Sequence, residues 1–101
     1  MSDNTSLVKI LIVEDESIIT KDIQSMLKRS GYTVSAVVPS GEKSIKKIEE
    51  IHPDLVLMDI KLSGNMYGIT TAKQIHNRFN IPVVYLTGYS ENGILQGAEI
   101  I

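Results

Sequence analysis

The chain has 101 residues, enough for one small domain with one core. With 43% apolar and 22% charged residues it is an ordinary folding composition, and a net charge of −2 gives nucleic acid or an anionic membrane nothing to hold. The absence of cysteine excludes disulfides and thiolate metal sites, and two histidines, His52 and His76, are too few for a zinc-type centre.

Residues 1–6 read as a polar, loose tail, and residues 7–101 as the domain. Leu7 to Val13 is an apolar run that ends in Glu14-Asp15, the first expected strand. It is too short to span a membrane and lacks the flanks of a signal peptide, so the chain reads as cytoplasmic. Ile19, Ile23, Met26 and Leu27 then fall at helical spacing, and Lys28, Arg29 and Gly31 supply a basic last turn and a stop. Tyr32 to Val38 is rich in β-branched residues and reads as strand two. Ser40 is placed to cap a second helix marked by Ile45, Ile48 and Ile51.

Pro53-Asp54-Leu55-Val56-Leu57-Met58-Asp59 follows. Four consecutive apolar residues bounded by turn formers predict a strand buried on both faces, with Asp59 where it leaves the sheet. Lys61 to Gly68 reads as a loop, then Ile69, Ala72, Ile75 (or His76) and Phe79 mark a third helix. Pro82 to Thr87 is a fourth strand. Ser90 is placed to cap a fourth helix carrying Ile94, Leu95, Ala98 and Ile101. Strands alternating with helices predict an α/β fold, a doubly wound parallel sheet with right-handed crossovers.

Three strand tips carry the chemistry: Glu14-Asp15, Asp59 and Thr87. In an open parallel sheet the carboxyl edge is where ligands gather. Two carboxylates about 4 Å apart at an effective dielectric near 20 repel by roughly 4 kcal/mol, so three require a cation or a retained proton. An all-oxygen donor set suits Mg²⁺. A carboxylate beside Mg²⁺ and a hydroxyl is chemically able to accept a phosphoryl group. Each residue also has a plainer reading. Asp59 alone is equally a turn residue, Asp15 equally a cap for helix one, Thr87 a common strand residue, and the Lys43, Lys46, Lys47 group a solvated helix face.

Taken together, Ile12-Val13-Glu14-Asp15-Glu16, Leu55 to Leu62 and Tyr85-Leu86-Thr87-Gly88-Tyr89-Ser90 resemble the receiver domain of two-component response regulators, in the family's order and close to its spacing. The resemblance implies a flavodoxin-like fold with strand order 2-1-3-4. It implies Asp59 as phosphoacceptor, taking a phosphoryl group from a histidine kinase. It implies Mg²⁺ bound directly by Asp15, with Glu14 nearby and acting through water, by Asp59 as second ligand and by the backbone carbonyl of Lys61 as third. Thr87, followed by Gly88 where the family usually has Ala, would contact the phosphoryl group and move as it does so. The domain itself would be no enzyme, and its output partner is not legible. The Lys61 to Gly68 segment is longer than usual by a residue, with Tyr67 in place of Asp.

The family's fifth strand, with its Lys-Pro pair, and fifth helix are expected to be missing, roughly 20 residues. An open edge on strand four and an uncovered sheet face follow, and with them a homodimer. The alternative is a truncated receiver acting only through protein contacts, without phosphorylation. A Mg²⁺-dependent phosphohydrolase ranks last, because Ile60 and Lys61 stand where such enzymes often place a second acid.

Overall fold

The computed structural model describes residues 8–59, 66–89 and 95–100, and of 66–69, 87–89 and 95–100 only the backbone. The elements are β1 (Lys9–Val13), α1 (Ser17–Arg29), β2 (Thr33–Val38), α2 (Gly41–Ile51), β3 (Leu55–Asp59), α3 (Met66–Phe79), β4 (Val83–Tyr89) and β5 (Leu95–Ile100). They build one sheet in the order β2-β1-β3-β4-β5. The first four strands are parallel, as the alternating pattern predicts.

The unbroken apolar runs follow from two-sided burial. Alternate residues of each strand enter different clusters. Leu11, Val13, Val56, Met58, Val83 and Tyr85 pack with Ile48 of α2 and Ala72 and Ile75 of α3. Ile10, Ile12, Leu57 and Leu86 pack with Ile23 and Leu27 of α1 on the opposite face. Neither face is polar, so neither shows the strict alternation of a half-exposed strand. The feet of β1 and β3 are tied by two hydrogen bonds of 2.8 Å. The Lys9 amide donates to Asp54 Oδ2, and the Asp54 amide donates to the Lys9 carbonyl.

Helix ends behave as their residues dictate. Past α1, Gly31 takes φ 88°, its amide donates to the Lys28 carbonyl, and the Tyr32 amide reaches back to Leu27. Paired bonds of this kind satisfy carbonyls that the helix leaves open. Ser40 caps α2, its Oγ accepting the Lys43 amide at 3.2 Å. Gly41 opens α2 hard against α3: a Cβ there would lie 2.5 Å from Thr71 Oγ1 and 3.1 Å from Thr71 Cβ. Gly41→Ala is therefore expected to destabilise by about 1–3 kcal/mol in urea unfolding despite alanine's better helix propensity. Adding Thr71→Ala should recover most of that loss.

At the far end of α2, His52 is exposed and holds φ 46°. Left-handed backbone disfavours any side chain, so His52→Gly should raise stability by about 0.5–1 kcal/mol in the same assay.

Three expectations are corrected. Helix α3 starts at Met66, so the reading of Lys61 to Gly68 as a loop was too long by three residues, Met66, Tyr67 and Gly68. The fourth helix expected over Ile94, Leu95, Ala98 and Ile101 is a strand over Leu95–Ile100, antiparallel to β4. Position along the chain outweighs periodicity there: the outer edge of β4 offers unpaired backbone groups, and Gly97 weakens a helix. The open edge on strand four, and a homodimer through it, are overturned for the same reason, since β5 occupies that edge. Ser90, Ile94 and Ile101 lie outside the described residues.

Candidate phosphoacceptor and metal site

Strand register brings the acids together. In the parallel ladders Val13 sits beside Met58, and Asp59 beside Leu86. Glu14 and Asp59 therefore leave the sheet at one level, with Asp15 and Thr87 one residue beyond. The amide of Glu14 donates to the Val38 carbonyl at 3.0 Å, which holds the turn after β1 against the end of β2. Carboxylate oxygens of Glu14, Asp15 and Asp59 all lie within 4.8 Å of one another.

Burial divides their roles. Asp15 is exposed, whereas Glu14 is 3% and Asp59 8% accessible. Glu14 Oε1 accepts the Glu16 amide at 3.0 Å. Its other oxygen, Oε2, is buried and finds no hydrogen-bond donor among the described residues. Burial, then the neighbouring Asp59 carboxyl group, with a smaller push from Asp15, raise the Glu14 pKa to about 8; the Glu16 amide pulls the other way.

An acceptor oxygen buried without a donor, next to two further carboxylates, fits a bound cation or a retained proton. The donors are hard oxygens in number suited to an ion that keeps part of its water shell, which is the preference of Mg²⁺. Beside the acids opens a cavity of about 310 Å³, walled by Ser17, Thr20, Lys21 and Gln24 of α1 and by Val37, Val38 and Pro39. That volume leaves room for the water that an ion held beside the exposed Asp15 would keep.

Sequence reasoning placed the three acids correctly in space but ranked Glu14 as an outlying member. The structure makes it the most buried of the three. Asp15 does not cap α1: the N-cap is Glu16, which makes no side-chain cap bond, and the bond to its amide comes from Glu14. The α1 wall of the cavity was missed, although Ser17, Thr20, Lys21 and Gln24 recur at three- and four-residue intervals on one side of the helix. Thr87 and Gly88 lie on β4, one and two residues beyond the rung shared with Asp59, as backbone only. Lys61, expected to offer its carbonyl, lies outside the described residues.

A family model described as response regulator receiver domain matches residues 10–99. The transcriptional regulatory protein PdtaR of Mycobacterium tuberculosis is 33% identical over 90% of this chain and 44% of its own. The chain thus spans less than half the length of that curated relative. The anti-anti-sigma factor PhyR of Bartonella quintana, in complex with the anti-sigma factor NepR, superposes with a TM-score of 0.76 at 27% identity, over 92% of this chain and 40% of that one. The receiver domain of a modulated diguanylate cyclase from Desulfovibrio desulfuricans G20 gives a TM-score of 0.75 at 29% identity, over 84% of this chain and 68% of that one.

Proposed function

The chain belongs to the response regulator receiver domain family, and from that premise we propose that it is a phosphoacceptor module which takes a phosphoryl group on Asp59 and relays the event to a protein partner. The observation that carries this reading is the convergence of Glu14, Asp15 and Asp59 within 4.8 Å at the sheet edge, with one carboxylate oxygen buried and unmatched by a donor.

The residues that would hold Mg²⁺ are Asp15, Asp59 and Glu14, with the Lys61 carbonyl as the family's further ligand. The ion, when bound, supplies positive charge against the oxygens of the phosphoryl group. The remaining work falls to the chain. Asp59 Oδ forms the new bond to phosphorus, the N–P bond of a kinase phosphohistidine breaks, and the imidazole leaves with that electron pair and takes a proton from solvent. Asp59 stands on a strand buried on both faces, which fixes the attacking oxygen with little freedom to lose. Thr87, at the tip of the neighbouring strand, is assigned the hydrogen bond to a phosphoryl oxygen. A charge-assisted bond of that kind contributes about 1.5–3 kcal/mol, enough to favour a new backbone position at the strand end.

We assign no turnover of a separate substrate to this domain. Regulatory relatives and the NepR complex of PhyR support a protein as output partner. Among the described residues no helix is long and apolar enough to cross a membrane, which agrees with work in the cytoplasm.

The test is incubation with a small acyl phosphate, with and without Mg²⁺, followed by intact-mass measurement and peptide mapping. One phosphoryl group on Asp59, dependent on Mg²⁺, is the expected result. A folded protein that takes no label at Asp59 would replace this reading with a receiver working through contacts alone.

A further inference from the structure

We propose that the inserted residue Ser35 guards the open edge of β2, holding a bulge there that keeps a second copy of this chain from adding its own β2 to the sheet. The inference is independent of the phosphoacceptor reading above.

The register carries the argument. β2 ends the sheet order β2-β1-β3-β4-β5, so one side of it has no neighbouring strand among the described residues. Ile10 of β1 pairs with Val34 and Leu11 with Ala36, so one step on β1 matches two on β2, and Ser35 is the extra residue. The two faces of β2 agree. Val34 and Val37 both pack on the α1 side, whereas Ala36 and Val38 pack on the side of α2 and α3. Side chains of a regular strand alternate, so residues three apart share a face only across a bulge. With Ser35 taken out, Thr33-Val34-Ala36-Val37-Val38 alternates correctly and keeps every rung to β1. Neither the pairing nor the core therefore needs this residue. What it changes is the outer edge.

That edge needs a guard. Thr33–Val38 carries no charge and no proline, and four of its six residues are β-branched, a composition that recruits another strand. Residues 34–37 are only half-buried. A bulge bends the strand and breaks the straight row of backbone groups with which a partner would pair. The Ser35 hydroxyl fastens the bulge, donating to the Ile10 carbonyl at 3.2 Å. The strand excluded is that of a second copy, because two identical edges related by a two-fold axis pair antiparallel and complement each other.

Deletion of Ser35 is the test, read by sedimentation up to about 1 mM protein and by hydrogen exchange. The shortened chain should fold with the circular dichroism of wild type. It should self-associate at least about tenfold more tightly, a factor that one or two added backbone hydrogen bonds supply. Amides of residues 34 and 36–38 should gain protection on association. Ser35→Ala, which keeps the extra residue, should sediment like wild type, and Thr33→Lys added to the deletion should abolish the association. A folded deletion chain that sediments like wild type overturns the proposal, as does association that protects only residues outside β2. So does a deletion chain that cannot fold, since the register then depended on Ser35 after all.

Discussion

Asp59→Asn is expected to abolish phosphoryl acceptance and, in metal-free solution near pH 8, to raise the stability of the fold by about 1–3 kcal/mol. The two effects have one origin. Asp59 is 8% accessible and faces Glu14, itself 3% accessible, with Asp15 in the same cluster. Like charges about 4 Å apart repel by roughly 4 kcal/mol at an effective dielectric near 20, and part of that is relieved by water and by the proton Glu14 retains. Asparagine keeps the shape, removes one charge and brings N–H groups that can satisfy the buried Glu14 Oε2. It also lacks the nucleophilic carboxylate oxygen. Intact mass after acyl phosphate treatment should show no added phosphoryl group, and urea unfolding in a chelator should show a higher midpoint. A variant that still takes label, or one less stable than wild type without metal, contradicts the assignment of Asp59.

Stability of the metal-free protein should fall by a few kcal/mol as pH rises from about 4.5 to 8, and Mg²⁺ should reverse the fall. Glu14 is raised from its ordinary value near 4.5 to about 8 in the folded chain. Between those values the folded state holds a proton that the unfolded chain has released. Stability therefore decreases with pH across that window, being complete below about pH 4.5 and lost as pH passes 8. The difference corresponds to about 1.4 kcal/mol per pKa unit, reduced here because Glu14 borders an open cavity beside the exposed Asp15. Metal binds the deprotonated site, so each ion releases a proton below pH 8 and its affinity climbs with pH until Glu14 is ionised. Urea midpoints measured from pH 5 to 8.5, with chelator and with saturating Mg²⁺, check both halves. Flat curves, or a metal effect equal at pH 5.5 and 8, would show that Glu14 does not carry the linkage.

Much of this fold was legible because the strands announce themselves. Runs such as Leu55 to Met58 have no amphipathic alternative, and the proline or turn residues around them fix where they begin. The acids were legible because each follows such a run directly, and a parallel register places the tips together. Periodicity misled at Leu95–Ile100, where a weak helical pattern met an unpaired strand edge and the edge prevailed. The rank of Glu14 over Asp15 was invisible as well. Adjacent residues at a strand end point to opposite sides, and which of the two turns inward depends on how the chain enters α1. Here the Glu14 amide bonded to Val38 and the Glu14 carboxylate bonded to the Glu16 amide set that choice. Neither bond has a signature in the residue string.

Calorimetric titration of Mg²⁺ into the wild-type chain and into Asp15→Asn at pH 8 reaches the central claim most directly. One ion per chain should bind the wild type, and Asp15→Asn should weaken binding by at least the roughly tenfold that even an outer-shell partner is worth. No heat of binding at millimolar Mg²⁺, or the same affinity in both proteins, would mean that Glu14, Asp15 and Asp59 crowd together for some purpose other than gripping an ion.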